Sequence, residues 1–191
     1  MVAARDFDWV DEQWVTVELP PLGFALERDG RQSFVPFVEG VVRHVDEERL
    51  DIGTPGFRAA VAWLAYHLPA SLDLRPLLGR RVRIEHERRR RPDGEVEDTL
   101  TVRGRDGRLW LVAHVGQSPF WQNVEGVDVS LSVSTDAQQL RVGGNPGRDH
   151  LLQSGEYARV PCGRQDLVAE LVECTETGQA AYFLADASLW H

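Results

Sequence analysis

Short runs of alternating apolar and polar residues, each cut off by Gly, Asp or Pro, recur along most of this chain. Alternation of period two puts successive side chains on opposite faces, so such runs fold as strands and not as helices. The pattern is densest over 80–115. Arg81-Val-Arg-Ile-Glu-His-Glu alternates, Pro92-Asp93-Gly94 turns the chain, and residues 95–103 return along it. Arg105-Asp106-Gly107 then leads into 108–115, where Leu109, Trp110, Leu111, Val112 and Ala113 are apolar without a break. A run of that kind marks a strand covered on both faces. Three consecutive antiparallel strands are therefore expected here.

The same reasoning predicts strands at 14–19, 23–27, 32–38, 40–45, 49–52, 127–133, 139–142, 157–160, 166–174 and 179–184. Asp29-Gly30 favours a tight hairpin between the second and third of these. One stretch breaks the rhythm. Thr54 is a good N-cap, Pro55 suits a first turn, and Phe57, Val61, Leu64 and Leu68 recur at helical spacing before Pro69, which predicts a helix over 55–68. The expected fold is mainly β, an antiparallel barrel- or sandwich-like meander with that one helix, with α+β as the alternative. Residues 116–126 read as a loop. They give a choice between a single domain over 1–191 and a split into 1–118 and 119–191.

Charge narrows the partners. The net charge is −9, yet ten of the 21 Arg fall within 80–108. A globally acidic protein repels polyanions at long range, so nucleic acid is a disfavoured ligand. Every basic residue is Arg and none is Lys. We take this as the mark of a GC-rich, bacterial genome, and it weakens any argument from Arg enrichment alone. Cys162 and Cys174 do not resemble a secreted disulfide framework. The start of the chain lacks a basic-then-apolar leader, and no apolar run approaches the ~20 residues that span a bilayer. A reducing cytoplasm and no membrane contact are the expectation.

Motifs that carry chemistry are few. None of the six His stands in a zinc-type spacing, and no phosphate-binding, dinucleotide or serine-nucleophile motif occurs. Neither a metal nor a cofactor is expected. In Glu85-His86-Glu87 the two carboxylates share one strand face and the imidazole points to the other, so they do not converge. The sharpest enzymatic candidate is Cys162 as nucleophile with His150 as base and Asp149 as orienter. The most unusual local feature is the basic run Arg88, Arg89, Arg90 and Arg91, set against Glu95, Glu97 and Asp98 on the returning strand. Pairing across the strands accounts for much of that charge.

The absent catalytic motifs and segregated charge point to a non-enzymatic protein-interaction module or accessory subunit of a bacterial cytoplasmic assembly. Arg88 to Arg91, with Phe120 and Trp121, are its candidate contact residues. A small-molecule-binding or Cys/His-dependent enzyme is the alternative, and an RNA-binding accessory protein the weaker one.

Overall fold

The computed structural model describes residues 25–28, 31–34, 37–45, 50–51, 72–90, 94–116, 120–134, 138–144, 149–174 and 180–190. The helix expected over 55–68 and the strand expected over 14–19 lie outside these residues. Among the described residues the chain is almost wholly antiparallel β, with two 3₁₀ turns at Arg75–Leu77 and Ala187–Leu189. No helix among them is long and apolar enough to cross a membrane.

Strands β1 (Ala25–Arg28) and β2 (Arg31–Phe34) form the hairpin that Asp29-Gly30 predicts, with Arg28 opposite Arg31. The run expected over 32–38 divides, and β3 (Phe37–Val41) joins a different sheet. Strands β4 (His44–Val45) and β5 (Leu50–Asp51) make a short pair. The meander follows as β6 (Arg81–Arg90), β7 (Val96–Gly104) and β8 (Leu109–Gly116).

The stretch read as a loop at 116–126 is largely a strand, β9 (Phe120–Val124), antiparallel to β10 (Val127–Val133). Only Glu125 and Gly126 separate them, both at positive φ (48° and 82°), as a primed hairpin turn requires. Glu is an uncommon residue for that first position, so the turn carries no sequence signal. Strands β11 (Leu140–Gly144) and β12 (His150–Leu152) continue this second meander. A third closes the fold: β13 (Tyr157–Cys162), β14 (Gln165–Cys174) and β15 (Ala180–Asp186).

Two sheets result. The larger has the order β13-β14-β15-β8-β7-β6-β3 and the smaller β12-β11-β10-β9, and neither closes into a barrel. The larger takes strands from both sides of residue 118. One of its faces packs Val112, Leu167, Ala169, Leu171 and Leu184 against Val129, Leu131, Leu140 and Val142 of the smaller sheet. Its other face carries Ile84, Leu100, Val102, Leu111 and Phe183. Leu74, Leu77 and Leu189 from the two 3₁₀ segments cover these. Asp73 N–H donates to Leu189 O at 2.7 Å, which fastens the segments to each other.

The turns of the two sheets also meet. Glu125 Oε2 accepts from the backbone N–H of Arg164, at the turn between β13 and β14. A Cβ on Gly163 would lie 2.5 Å from that oxygen, whereas one on Gly155 meets nothing within 4 Å. Both glycines hold positive φ (60° and 84°). Gly155→Ala should therefore cost only the left-handed strain of about 1–2 kcal/mol, and Gly163→Ala clearly more. Urea unfolding of the two variants measures the difference. Equal costs would remove the Glu125 contact as a constraint.

Candidate functional site

The register of β7 on β8 skips from Val102–Leu111 to Arg103–Leu109, which makes Trp110 the extra residue of a β-bulge. A bulge breaks the ladder and re-aims a side chain. The Gln165 side chain replaces the missing ladder bonds. Its Oε1 accepts from Leu109 N–H at 3.1 Å and its Nε2 donates to Leu109 O at 2.7 Å. The same Nε2 donates to Asp186 Oδ2 at 3.0 Å.

Asp186 also accepts from Arg108 Nη2 at 2.8 Å, and its Oδ1 takes the backbone N–H and the hydroxyl of Ser188 at 3.0 and 2.7 Å. Burial alone opposes its ionisation. The bonds from Ser188, Arg108 and Gln165 outweigh it and hold the carboxyl below the usual carboxylate range.

The bulge sends Trp110 to the face that holds Leu74, Leu77 and Leu189. There its ring lies between two guanidinium groups. Arg108 Cζ is 4.2 Å from the ring centroid and Arg80 Cζ 5.0 Å, both within cation–π range. Together with Arg81, Arg105, Asp106, Gly79 and Gly104 they line an open cleft of about 620 Å³ at this end of the sheet.

Its charges are unevenly matched. Arg108 is ion-paired with Asp186, and Asp106 Oδ1 accepts from the backbone N–H of Arg108 at 3.1 Å. Arg80 uses only its Nε, donating to Pro76 O at 3.2 Å. The Arg81 and Arg105 side chains are exposed, with no hydrogen bond or ion pair among the described residues. Trp110 is only 4 % exposed and lines the cleft. The cleft thus holds three guanidinium groups with donors to spare against a single carboxylate. An arrangement of that kind binds anions.

The residues singled out in the sequence fall elsewhere. Cys162 is a free thiol, wholly buried at the end of β13 and opposite Gln165. Burial pushes its pKa up to about 11, and Asp166 and Glu125 add to the shift. His150 is exposed on β12, opposite Val142. Asp149 accepts from Arg141 Nε at 2.9 Å, and no hydrogen bond joins it or His150 to Cys162. A nucleophile needs a base within reach and a lowered pKa. The structure places two carboxylates beside this thiol instead.

In the basic run, Arg89 pairs with Glu87 of its own strand at 2.5 Å, and Arg90 is exposed. The register sets Arg88 opposite Asp98 and Arg89 opposite Glu97. Arg91 lies outside the described residues. Phe120 and Trp121 sit on the edge strand β9, opposite Leu131 and Ser130.

One polar group within the core escaped the sequence reading. Thr99, His114 and Tyr182 are register partners in a row across β7, β8 and β15, with Glu97 one step along β7. Thr99 Oγ1 and His114 Nδ1 share a hydrogen bond of 2.7 Å, and Glu97 Oε2 is 3.8 Å from His114 Nε2. Burial lowers the His114 pKa to about 4, with Asp98 opposing the shift and Arg89 assisting it. Burial and the Glu97 charge raise that of Tyr182. His114 and Tyr182 sit in largely apolar strands, which hides them, whereas Glu97 and Thr99 lie in the more polar β7, where burial cannot be read from the residues. Among the described residues no three His, Cys, Asp or Glu stand together as a metal site would require.

No protein-family model, curated protein or solved structure matches the chain. The cleft must be interpreted from its own chemistry.

Two measurements check this account. The unfolded imidazole of His114 binds its proton near pH 6.5 and the folded one only near 4. The unfolded state therefore holds more protons between those values, so stability falls as pH drops through that window. The expected loss is about 3 kcal/mol once both titrations are complete. NMR should show the His114 ring titrating near pH 4, and a midpoint above 6 would refute its burial as a neutral group. For Cys162, an aromatic disulfide reagent at neutral pH should leave the folded thiol unmodified and label it after unfolding. Rapid labelling of the folded protein would reopen the nucleophile reading.

Proposed function

We propose that this chain is a non-enzymatic protein-interaction module, working in a reducing bacterial cytoplasm, whose arginine-lined cleft receives an acidic segment of a partner protein. The observation that carries this reading is the concentration of Arg80, Arg81 and Arg105 around one cleft in a protein of net charge −9. Such a patch is a place where an anionic partner meets attraction and not repulsion. Nucleic acid fits less well, because the rest of the surface opposes a long polyanion. The contact centres on the cleft and not on the hairpin of Arg88 to Arg91, since Arg89 there is already neutralised by Glu87.

The base of the cleft is held in place, while Arg81 and Arg105 at its rim are exposed. Trp110 fixes Arg80 and Arg108, and Asp186 with Gln165 fixes the bulge beneath them. Preorganised donors lose little freedom on binding. None of these groups is a nucleophile or a proton-transfer residue poised near neutral pH.

A labelled oligoglutamate peptide tests the reading. It should bind the full chain at low ionic strength and weaken steeply as salt rises toward physiological values and above. Charge reversal at two exposed positions, Arg81→Glu with Arg105→Glu, should reduce affinity by about tenfold or more without altering the fold. Unchanged affinity in the double variant would sink the cleft as the contact surface.

A further inference from the structure

The cleft is matched to a particular anion. Arg108 is neutralised by Asp186 at 2.8 Å, so the groups that face a ligand are Arg80, Arg81, Arg105 and Asp106. They leave a surplus of two positive charges. One carboxylate would neutralise half of that surplus. A phosphate monoester carries about −1.5 to −2 near pH 7 and offers three acceptor oxygens. It can also accept in forked pairs from guanidinium groups and still leave an oxygen for a further donor.

The donors suit it. The Arg81 and Arg105 side chains are exposed and have no hydrogen bond or ion pair among the described residues, and Arg80 has spent only its Nε. The volume of about 620 Å³ exceeds what a bare phosphate fills and admits a side chain with its flanking backbone.

We infer that the cleft binds a phosphate monoester dianion carried on a side chain of the partner segment, in preference to a carboxylate. The inference rests on the proposed reading of this cleft as a partner-binding site and names the group recognised there.

The experiment uses the full chain and four probes: inorganic phosphate, inorganic sulfate, and two short, otherwise neutral peptides with phosphoserine or glutamate at the centre. Calorimetric titration gives the affinities, and NMR of the arginine Nε–H and indole N–H signals locates the binding. The phosphoserine peptide should bind about tenfold or more tightly than its glutamate counterpart. Its affinity should rise between pH 5.5 and 7.5, following the second phosphate ionisation near 6, while sulfate, a dianion throughout, stays flat. Arg105→Ala and Arg81→Ala should each weaken phosphopeptide binding several-fold and leave the signals of both sheets unshifted away from the substituted residue.

Equal affinity for the two peptides, or no pH dependence for phosphoserine, overturns the inference and leaves the acidic-segment reading standing. Inorganic phosphate binding as tightly as the phosphopeptide overturns the partner-borne source in favour of a free anion. Failure of all four probes and of oligoglutamate overturns both readings together.

Discussion

Strands β8 and β15 lie side by side at the middle of the seven-stranded sheet, and both of its faces are covered. All of β15 is buried, and β8 is buried at every position but Val115. Burial on two faces removes water from both sides of the backbone. Every polar group in or beside these strands must then find its partner within the protein. Much of the described fold answers that requirement, although the Tyr182 hydroxyl is buried without a hydrogen-bond partner among the described residues. The β6–β8 and β13–β15 meanders approach β8 and β15 from opposite sides. The β9–β12 meander, inserted between them in sequence, folds over as the second sheet.

The same requirement explains the bulge and what surrounds it. Leu109 lies beyond the last β8–β15 pair, Leu111 with Ala185, and the Gln165 amide supplies a bond to each of its backbone groups. Asp186 anchors that amide, holds Arg108 and caps the last 3₁₀ turn. A side chain that could have been an isolated buried charge becomes the hub of a satisfied network. Because Asp186 is committed to Arg108, the remaining arginines of the cleft have only Asp106 nearby. The excess positive charge that the proposed function uses follows from how the bulge was stabilised.

Much of the fold was legible in the residues. Strands pair across the Asp29-Gly30 and Asp106-Gly107 positions where the turn chemistry placed them, and the positive φ of Gly107 is a local property. The unbroken apolar run over 109–113 correctly marked a strand covered on two faces. Strand β9 was not legible, since its turn begins with Glu125 in a conformation that Glu seldom adopts. The break at 32–38, which sends β3 to a sheet edge, depends on pairing with β6 and not on the run itself.

The candidate site was less legible than the fold. Arg80, Arg81, Arg105 and Arg108 all lay within the basic segment of the sequence, but attention goes naturally to the contiguous run at Arg88 to Arg91. Contiguity along a strand sends alternate side chains to opposite faces, so it does not concentrate charge. The cleft gathers residues from the start of β6 and from the turn between β7 and β8, around a tryptophan redirected by a one-residue bulge. Alternation and turn residues are local quantities, so the sequence by itself determined the antiparallel β class and most of the strands. Which residues share a surface depends on register, bulges and long-range partners such as Gln165 and Asp186, and only the tertiary structure decided that.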